Sequence, residues 1–246
     1  MSEQNYQSWR DARIAQLLKQ SSYDVDDLRD IVVILRGEGG CPWDREQDHH
    51  SIRKGMIEEC YEVVEAIDRD DPVLLREELG DVLLQIVFHA DMEKDAGRFD
   101  LDDVANDECV KMIHRHPHVF GTVEVETSEE VLKNWDKIKT EEKQRISLSD
   151  QLRAIPPMLP ALMRAQKVGK KSAADARYSV SDLVKAITES LENLEQVSSD
   201  SHTRQEILGD VLFRLTSICR MMNVEAEEAL TASVERVIKC AEQKHP

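Results

Sequence analysis

Five carboxylates form two short acidic segments whose spacing suits a metal site. Glu58, Glu59 and Glu62 belong to the first segment, and Glu78 and Asp81 belong to the second. Residues three or four apart share one side of a helix, so each segment directs its carboxylates to one side. Oxygen ligands select hard cations such as Mg²⁺, with Mn²⁺ as a substitute, and leave positions for phosphate oxygens and water. The pattern indicates magnesium-dependent phosphate chemistry.

A solvated acidic surface is the competing interpretation of the same residues. Asp and Glu make up 49 of the 246 residues, and carboxylates on helices are usually exposed. The first segment by itself favours such a surface. The second pair, on a neighbouring helix, makes the two interpretations about equally good, because converging like charges must take up protons or hold a cation.

Apolar residues at spacings of three and four predict that both acidic segments lie on amphipathic helices. Asp71 followed by Pro72 provides a cap and a first-turn proline between them, which predicts a tight αα-hairpin. We expect the two apolar stripes to pack together and to bring the carboxylates close to one another. These stripes are Ile57, Tyr61, Val64 and Ile67 on the first helix, and Leu75, Leu79, Val82, Leu83, Ile86, Val87 and Ala90 on the second.

Composition extends the helical prediction to the whole chain and excludes several classes of function. Only nine glycines and seven prolines interrupt the helical period, so we predict an all-α protein. A net charge of -17 argues against binding of nucleic acid. The chain has no apolar run of membrane-spanning length and no apolar core of a signal peptide near its first residue. Five scattered cysteines suit a reducing compartment, so we expect a cytoplasmic protein without membrane contact.

An internal repeat organises the sequence. The segment LGDVL at residues 79–83 recurs at residues 208–212, an offset of 208 - 79 = 129. We therefore predict duplicated helical-bundle units over residues 26–145 and 146–246, preceded by an N-terminal extension over residues 1–25. The predicted boundary follows a charged stretch, EEKQR, and precedes a cluster of prolines.

Four strings of residues surround or contain the acidic segments in a specific order. They are GCPWD at residues 40–44, EECYE at 58–62, EELGD at 77–81 and RHPHVFG at 115–121. Together they resemble the MazG family, whose members are all-α, typically dimeric and bind magnesium. The resemblance implies a nucleoside triphosphate pyrophosphohydrolase that forms a homodimer. Alternatively, the second copy of the repeat could cover the apolar faces of the hairpin within the chain, in place of a dimer partner.

The resemblance also implies roles for individual carboxylates. It implies that Glu58 orients water as an additional catalytic carboxylate beside Glu59. The implied magnesium ligands are Glu59, Glu62, Glu78 and Asp81.

Basic and aromatic residues resemble the substrate-binding groups of the same family. Lys111 and Arg115, four residues apart, would contact phosphates, although an ordinary basic helical face has the same spacing. Trp135 and Trp43 resemble aromatics that stack on the base, and packing is an equally good interpretation for Trp43. The alternating histidines of residues 114–118 could form a transition-metal site, but a proline interrupts them, and we interpret them as structural or peripheral.

The second copy departs from the family pattern. Ser190, Asn193 and Ile207 stand where three carboxylates are expected, so we predict that this copy is catalytically inactive. Two hypotheses about function follow. The first is an active hydrolase at the N-terminal site, and the second is a nucleotide-binding or protein-interaction module whose catalysis has lapsed.

Overall fold

The computed structural model describes residues 3–142, 147–174, 176–196 and 201–244. Within these residues the regular elements are thirteen helices without any strand, which confirms the predicted all-α class. No helix among them is long and apolar enough to cross a membrane. The helices are α1 (Glu3–Leu17), α2 (Val25–Arg36), α3 (Pro42–Glu46), α4 (His49–Asp68), α5 (Pro72–Asp95), α6 (Leu101–Arg115), α7 (Pro117–Phe120), α8 (Ser128–Glu142), α9 (Leu148–Arg153), α10 (Ala161–Ser172), α11 (Val180–Gln196), α12 (Ser201–Met221) and α13 (Ala226–Lys244).

Two compact units divide the chain, unit 1 over residues 1–135 and unit 2 over residues 136–246. The division falls inside α8. The sequence predicts the limit between residues 145 and 146. Residues 143–146 are outside the described residues, so the predicted domain limits stay a prediction. Each unit has a pair of long helices in contact, α4 with α5 and α11 with α12, which is compatible with the predicted duplication.

The turn between α4 and α5 has the predicted local chemistry. The Asp71 carboxylate accepts hydrogen bonds from the backbone N–H groups of Val73 and Leu74, at 3.0 Å and 3.1 Å. Pro72 occupies the first turn of α5, where its missing N–H costs no helical hydrogen bond. Asp70 adopts a left-handed conformation with φ of 52° and reverses the chain. The predicted αα-hairpin is therefore confirmed.

A small apolar core fixes α2 and α4 against the C-terminal half of α5. Val32 of α2 and Val87 of α5 have no more than 1% of their surface exposed. Burial of each such side chain contributes about 1.5–3 kcal/mol. The other buried members of this core are Ile52, Phe88 and Met92. Because the core lies beyond the acidic segments along α5, it holds the hairpin without filling the space between the carboxylates.

The expectation about the apolar stripe of α4 is wrong. Ile57, Tyr61, Val64 and Ile67 are between 49% and 57% exposed and do not pack into the hairpin. The face of α4 that turns away from solvent instead includes Ile52, Glu59 and Ala66. Helix α4 thus carries two apolar faces, and only one is covered by α5. The other is exposed.

Helix α1 lies in the predicted N-terminal extension and packs on α2. It also holds the loop that contains the glycines after α2. Tyr6 donates from its hydroxyl to the carbonyl of Val33 at 3.3 Å, and Arg10 donates to the carbonyl of Gly39 at 2.7 Å. Gly39 has φ of 73°, a conformation that favours glycine. A Cβ at Gly37 would lie 1.7 Å from the Tyr6 hydroxyl. Contacts from α1 therefore fix the loop that leads from α2 into α3.

Unit 2 packs α10 and α11 against α12, with α9 and α13 against α10. Its buried side chains include Leu183 on α11 and Val211, Thr216 and Ser217 on α12. Thr216 is 1% exposed and its hydroxyl donates to the carbonyl of Phe213, so this polar group is satisfied within its own helix.

Candidate metal centre

Three carboxylates from α4 and α5 converge on one point between the two helices. One oxygen from each of Glu59, Glu78 and Asp81 lies within 4.8 Å of the other two. Glu78 is buried, and the other two are partly buried. Their position follows from the hairpin, because Glu59 lies on the α4 face that turns toward α5, and Glu78 and Asp81 share one side of α5. Three converging oxygens suit a hard divalent cation.

Repulsion and burial raise the pKa of two members of this cluster. The pKa of Glu59 is raised by burial first, then by a hydrogen bond to Glu62 and by the negative charge of Asp81. The pKa of Glu78 is raised by burial and then by the charge of Glu62. Both shifts mean that the cluster disfavours its own full ionisation. A bound cation would remove that penalty, so the donor set fits a metal ion.

The remaining acidic candidates lie at different places on α4. Glu62 is exposed, and its proximity contributes to the raised pKa of Glu59 and of Glu78, so it lies at the edge of the cluster. Glu58 is also exposed and is not among the converging oxygens. The structure therefore brings three of the five predicted carboxylates together, with Glu62 at their edge. A water-orienting role for Glu58 stays a prediction.

The predicted substrate-binding residues lie on α3, α6 and α8. Lys111 of α6 forms an ion pair with Glu108 one turn earlier, and Arg115 is half-buried at the end of the same helix. Trp43 is 63% exposed on α3 and is open to a ligand. Trp135 of α8 lies partly buried, with its ring 5.8 Å from the ring of His116. Their predicted contacts with substrate stay a prediction.

His116 contacts the backbone at the end of α6. Its Nδ1 lies 2.7 Å from the carbonyl oxygen of Met112, at the point where α6 ends and α7 begins. Its ring also lies 5.6 Å from that of His118. In the described part of the chain, the acidic cluster is the group of His, Cys, Asp and Glu side chains whose ligand atoms converge enough for a metal ion.

Comparison with known proteins supplies the family. The model of the MazG nucleotide pyrophosphohydrolase domain matches residues 47–120. A nucleoside triphosphate pyrophosphohydrolase of Escherichia coli K12 is 40% identical over 219 residues, which are 86% of this chain and 83% of that protein. The nucleoside triphosphate pyrophosphohydrolase/pyrophosphatase MazG of Thermotoga maritima is 36% identical over 225 residues, 90% of this chain and 86% of that protein. The chain belongs to the MazG family.

A third relative shows that MazG sequence also occurs in a longer protein. The Bacillus subtilis protein YabN is 42% identical over 219 residues, which are 87% of this chain but 45% of that protein. The family assignment confirms the predicted enzyme class, a hydrolase that acts on acid anhydrides. The matched MazG domain contains all five acidic candidates together with Lys111 and Arg115, whereas Trp43 and Trp135 lie outside it.

Gln85 lies on α5, the helix of Glu78 and Asp81, and the sequence pattern did not single it out. It follows Asp81 by one turn on α5, and its amide lies against Gly55 of α4, where a Cβ would be 3.0 Å from Nε2. Among the described residues no hydrogen-bond donor reaches its buried Oε1. A buried amide oxygen needs a hydrogen-bond partner. The spacing of four residues from Asp81 is a sequence signal that points to this side chain.

A second group of polar residues continues along the same helix pair. The Nδ1 atoms of His49 and His89 are 2.7 Å apart, and their rings stack with centroids 5.0 Å apart. His49 Nε2 lies 2.6 Å from the carboxylate of buried Glu93, which also accepts two hydrogen bonds from Arg98. Burial, followed by the charge of His49, lowers the pKa of His89. This network ties the start of α4 to the end of α5.

We expect the substitution Glu93→Gln to lower the melting temperature at pH 7 by more than at pH 3. Hydrogen bonds from Arg98 first, then from His49, lower the pKa of Glu93 from 4.5 to about 2. A carboxylate with a lowered pKa stabilises the fold above its unfolded pKa, and that stabilisation is lost as the pH falls toward the folded value. The difference between wild type and variant should therefore shrink between pH 4.5 and pH 2.

Melting curves followed by circular dichroism across this pH range provide the measurement. The exposed residue Glu228 on α13 gives the matched control Glu228→Gln, for which we expect a small effect at every pH. A melting difference for Glu93→Gln that stays constant from pH 7 to pH 3 would contradict the assigned role of the carboxylate.

Proposed function

We propose that the chain hydrolyses nucleoside triphosphates to nucleoside monophosphates and pyrophosphate, with Mg²⁺, at the acidic cluster between α4 and α5. The observation that carries this proposal is the convergence of Glu59, Glu78 and Asp81 within 4.8 Å. It is supported by the raised pKa of Glu59 and Glu78, because an uncompensated set of this kind is unfavourable. The E. coli and T. maritima relatives are both named as nucleoside triphosphate pyrophosphohydrolases.

The proposed ligands of Mg²⁺ are Glu59, Glu78 and Asp81, with Glu62 at the edge of the site. When bound, Mg²⁺ supplies positive charge that offsets the phosphate oxygens and makes water a better nucleophile, and Mn²⁺ is a substitute. The exposed edge of the cluster at Glu62 is the side from which a nucleotide approaches. Glu58, next to it on α4, is the candidate to orient the attacking water.

The substrate is proposed to lie across groups on neighbouring elements. Lys111 and Arg115 are the candidates for contacts to phosphate oxygens. The exposed ring of Trp43 and the partly buried ring of Trp135 are the candidates for stacking on the base. Gln85, one turn beyond Asp81 on α5, is proposed to accept a hydrogen bond through Oε1 from an ordered water of the bound nucleotide.

For Gln85→Leu we expect an increase of KM by about tenfold, because the amide oxygen no longer accepts a hydrogen bond from a water that bridges to the nucleotide. The Mg²⁺ concentration for half-maximal activity should change little, since Gln85 is not a proposed ligand. Steady-state kinetics of pyrophosphate release measure both quantities. The exposed Gln205 of unit 2 gives the control Gln205→Leu, with wild-type kinetics. A Gln85→Leu enzyme with wild-type KM would remove Gln85 from the site.

Unit 2 is proposed to lack catalytic activity. The offset of 129 residues places Arg214 at the position of Gln85, and Arg214 donates to the Ser190 hydroxyl at 3.2 Å. In the predicted repeat, Ser190 is the residue that corresponds to Glu59. The seam between α11 and α12 therefore has a cationic side chain where unit 1 has converging carboxylates. A positive charge at this place opposes binding of a divalent cation.

We propose a homodimer formed through the exposed face of α4. Ile57, Tyr61, Val64 and Ile67 recur at the helical spacing and are each about half exposed. Two antiparallel helices bury little surface alone, and a second hairpin completes a four-helix bundle. A face that is continuous along one helix suits a two-fold interface, in which the same patch occurs on both subunits.

Pyrophosphate release from a panel of ribo- and deoxyribonucleoside triphosphates tests the proposed activity. The assay is run with Mg²⁺, with Mn²⁺ and with EDTA. We expect release with either metal and none in EDTA. A folded protein that binds nucleotide with Mg²⁺ but releases no pyrophosphate would contradict the proposal and support the alternative, a nucleotide-binding module whose catalysis has lapsed.

A further inference from the structure

Helix α1 contacts the loop that precedes the exposed ring of Trp43. Arg10 donates from its guanidinium to the carbonyl oxygen of Gly39 at 2.7 Å, and 18% of the Arg10 side chain is exposed. A Cβ at Gly39 would lie 3.3 Å from Nη1 of Arg10, so the guanidinium lies directly against the backbone of the loop. Helix α1 and this loop both lie outside residues 47–120, the stretch that matches the MazG domain. The contact is therefore a feature of this chain that the match does not cover.

The loop over residues 37–41 folds back onto the end of α2. The N–H of Cys41 donates to the carbonyl of Leu35 at 2.8 Å. A Cβ at Gly40 would overlap the same carbonyl, so the backbone approaches α2 as closely as glycine allows. Gly39 has φ of 73°, which side chains other than glycine rarely adopt. Because these contacts leave the backbone a single path, a hydrogen bond to the carbonyl of Gly39 also fixes the position of Cys41.

Trp43 lies two residues beyond this loop and is held from its other side by α4. Cys41 is the N-cap of α3, and Trp43 is in the first turn of that helix. The carbonyl of Trp43 accepts a hydrogen bond from Nε2 of Gln47 at 2.8 Å, and Oε1 of Gln47 accepts one from the Ser51 hydroxyl in the first turn of α4 at 2.8 Å. These restraints act on the backbone of α3. The indole ring is 63% exposed and stays open to a ligand.

Helix α1 is anchored on α2 by contacts that do not involve the loop. Arg13 of α1 forms ion pairs with Asp27 and Asp30 of α2, each at 2.5 Å, and Asp27 is 5% exposed. The hydroxyl of Tyr6 donates to a backbone carbonyl of α2 at 3.3 Å. Arg10 therefore extends toward the loop from a fixed support. A loop that is held before the ligand arrives loses less freedom on binding.

We propose that Arg10 is a positioning residue for the nucleotide base, because it fixes the loop over residues 37–41 and so sets where Trp43 presents its ring. This inference rests on the proposed function, in which Trp43 is a candidate for stacking on the base. Stacking depends on the orientation of the ring, so a ring on a fixed backbone binds a base more tightly than one on a mobile loop. Arg10 contacts neither phosphate nor metal in this arrangement. Its effect is on nucleotide affinity and not on the chemical step.

Steady-state kinetics of the full chain with a nucleoside triphosphate and Mg²⁺ test this role. Arg10→Met keeps most of the side-chain volume and removes the donors. We expect it to raise KM by about fivefold or more and to leave kcat within about twofold, because part of the stacking on the base is lost. Arg10→Lys keeps a donor for the carbonyl of Gly39 and should recover most of the affinity. The control Arg204→Met, at an exposed arginine of α12, should have wild-type kinetics.

A double-mutant cycle with Trp43 separates positioning from a general loss of structure. We expect Trp43→Ala to raise KM by about tenfold or more, because the stacking surface is removed. Arg10→Met combined with Trp43→Ala should then have the KM of Trp43→Ala alone, since no ring remains to be positioned. Tripolyphosphate, which has no base, serves as a competitive inhibitor in the same assay. Its inhibition constant should be unchanged in all three variants, whereas a general loosening of unit 1 would raise it.

Three results would overturn the positioning role: a wild-type KM for Arg10→Met, a wild-type KM for Trp43→Ala, or effects of the two substitutions that multiply in the double variant. If Arg10→Met unfolds by circular dichroism, Tyr6→Phe repeats the cycle, because it removes only the hydroxyl that ties α1 to α2. A wild-type protein that releases no pyrophosphate contradicts the hydrolase alone. The same comparisons are then made with the Kd of a non-hydrolysable triphosphate analogue, measured by calorimetry with Mg²⁺, and a wild type that binds no analogue overturns the positioning role.

Discussion

Replacing Glu59 by Gln is expected to reduce pyrophosphate release by about a hundredfold or more, because even the outer partners of metal ligands are worth 10- to 100-fold. Glu59 is the carboxylate of α4 that meets Glu78 and Asp81 of α5. The amide has a similar shape but lacks the negative charge that would hold the cation. The measurement is kcat/KM for pyrophosphate release over a range of Mg²⁺ concentrations. Asp81→Asn should give a similar loss.

Melting temperatures provide a second readout for the same substitution. The raised pKa of Glu59 and Glu78 indicates that the ionised cluster is repulsive. Glu59→Gln should therefore melt no lower than wild type in EDTA at pH 7. Addition of Mg²⁺ should raise the melting temperature of wild type and leave that of the variant almost unchanged, because ligand binding to the folded state stabilises it.

Asp210 offers the matched control for the metal site. It occupies the position of Asp81 in the predicted repeat and is exposed on α12 in unit 2. We expect Asp210→Asn to retain wild-type activity, because Arg214 and Ser190 occupy the seam where unit 1 has its carboxylates. Loss of activity with Asp210→Asn alone would move the working site to unit 2 and contradict the proposal.

Combining Ile57→Asp with Val64→Asp is expected to convert the proposed homodimer into a monomer. Both side chains belong to the exposed face of α4 and are 49% and 50% exposed. In a two-fold interface each substitution occurs twice, so four carboxylates are buried against apolar surface. We expect the dimer dissociation constant to rise by about a thousandfold or more. Sedimentation velocity at several protein concentrations measures this change.

The control for the interface combines Leu18→Asp with Val237→Asp, at side chains that are 81% and 70% exposed on other elements. It should remain dimeric. Circular dichroism should show both variants folded, because none of the four side chains belongs to a buried core. A wild-type protein that sediments as a monomer, or a double α4 variant that stays dimeric, would contradict the proposed interface.

The local features of unit 1 follow from short-range signals in the sequence. The hairpin depends on Asp71 and Pro72, whose cap and first-turn geometry are encoded within a few residues. The convergence of Glu78 and Asp81 follows from their spacing on one helix. The segments EECYE and EELGD contain the three carboxylates whose oxygens the fold brings together. Spacing of this kind is set by helix geometry and requires no knowledge of the partner elements.

Only the tertiary structure decided which face of α4 meets α5. The stripe from Ile57 to Ile67 is more apolar than the face that carries Glu59, so periodicity favoured the wrong one. A helical period identifies an apolar face but does not identify what covers it, because burial within the chain and burial between chains require the same residues. The His49–His89 contact was likewise invisible in the sequence, since it depends on a pairing between residues 40 positions apart.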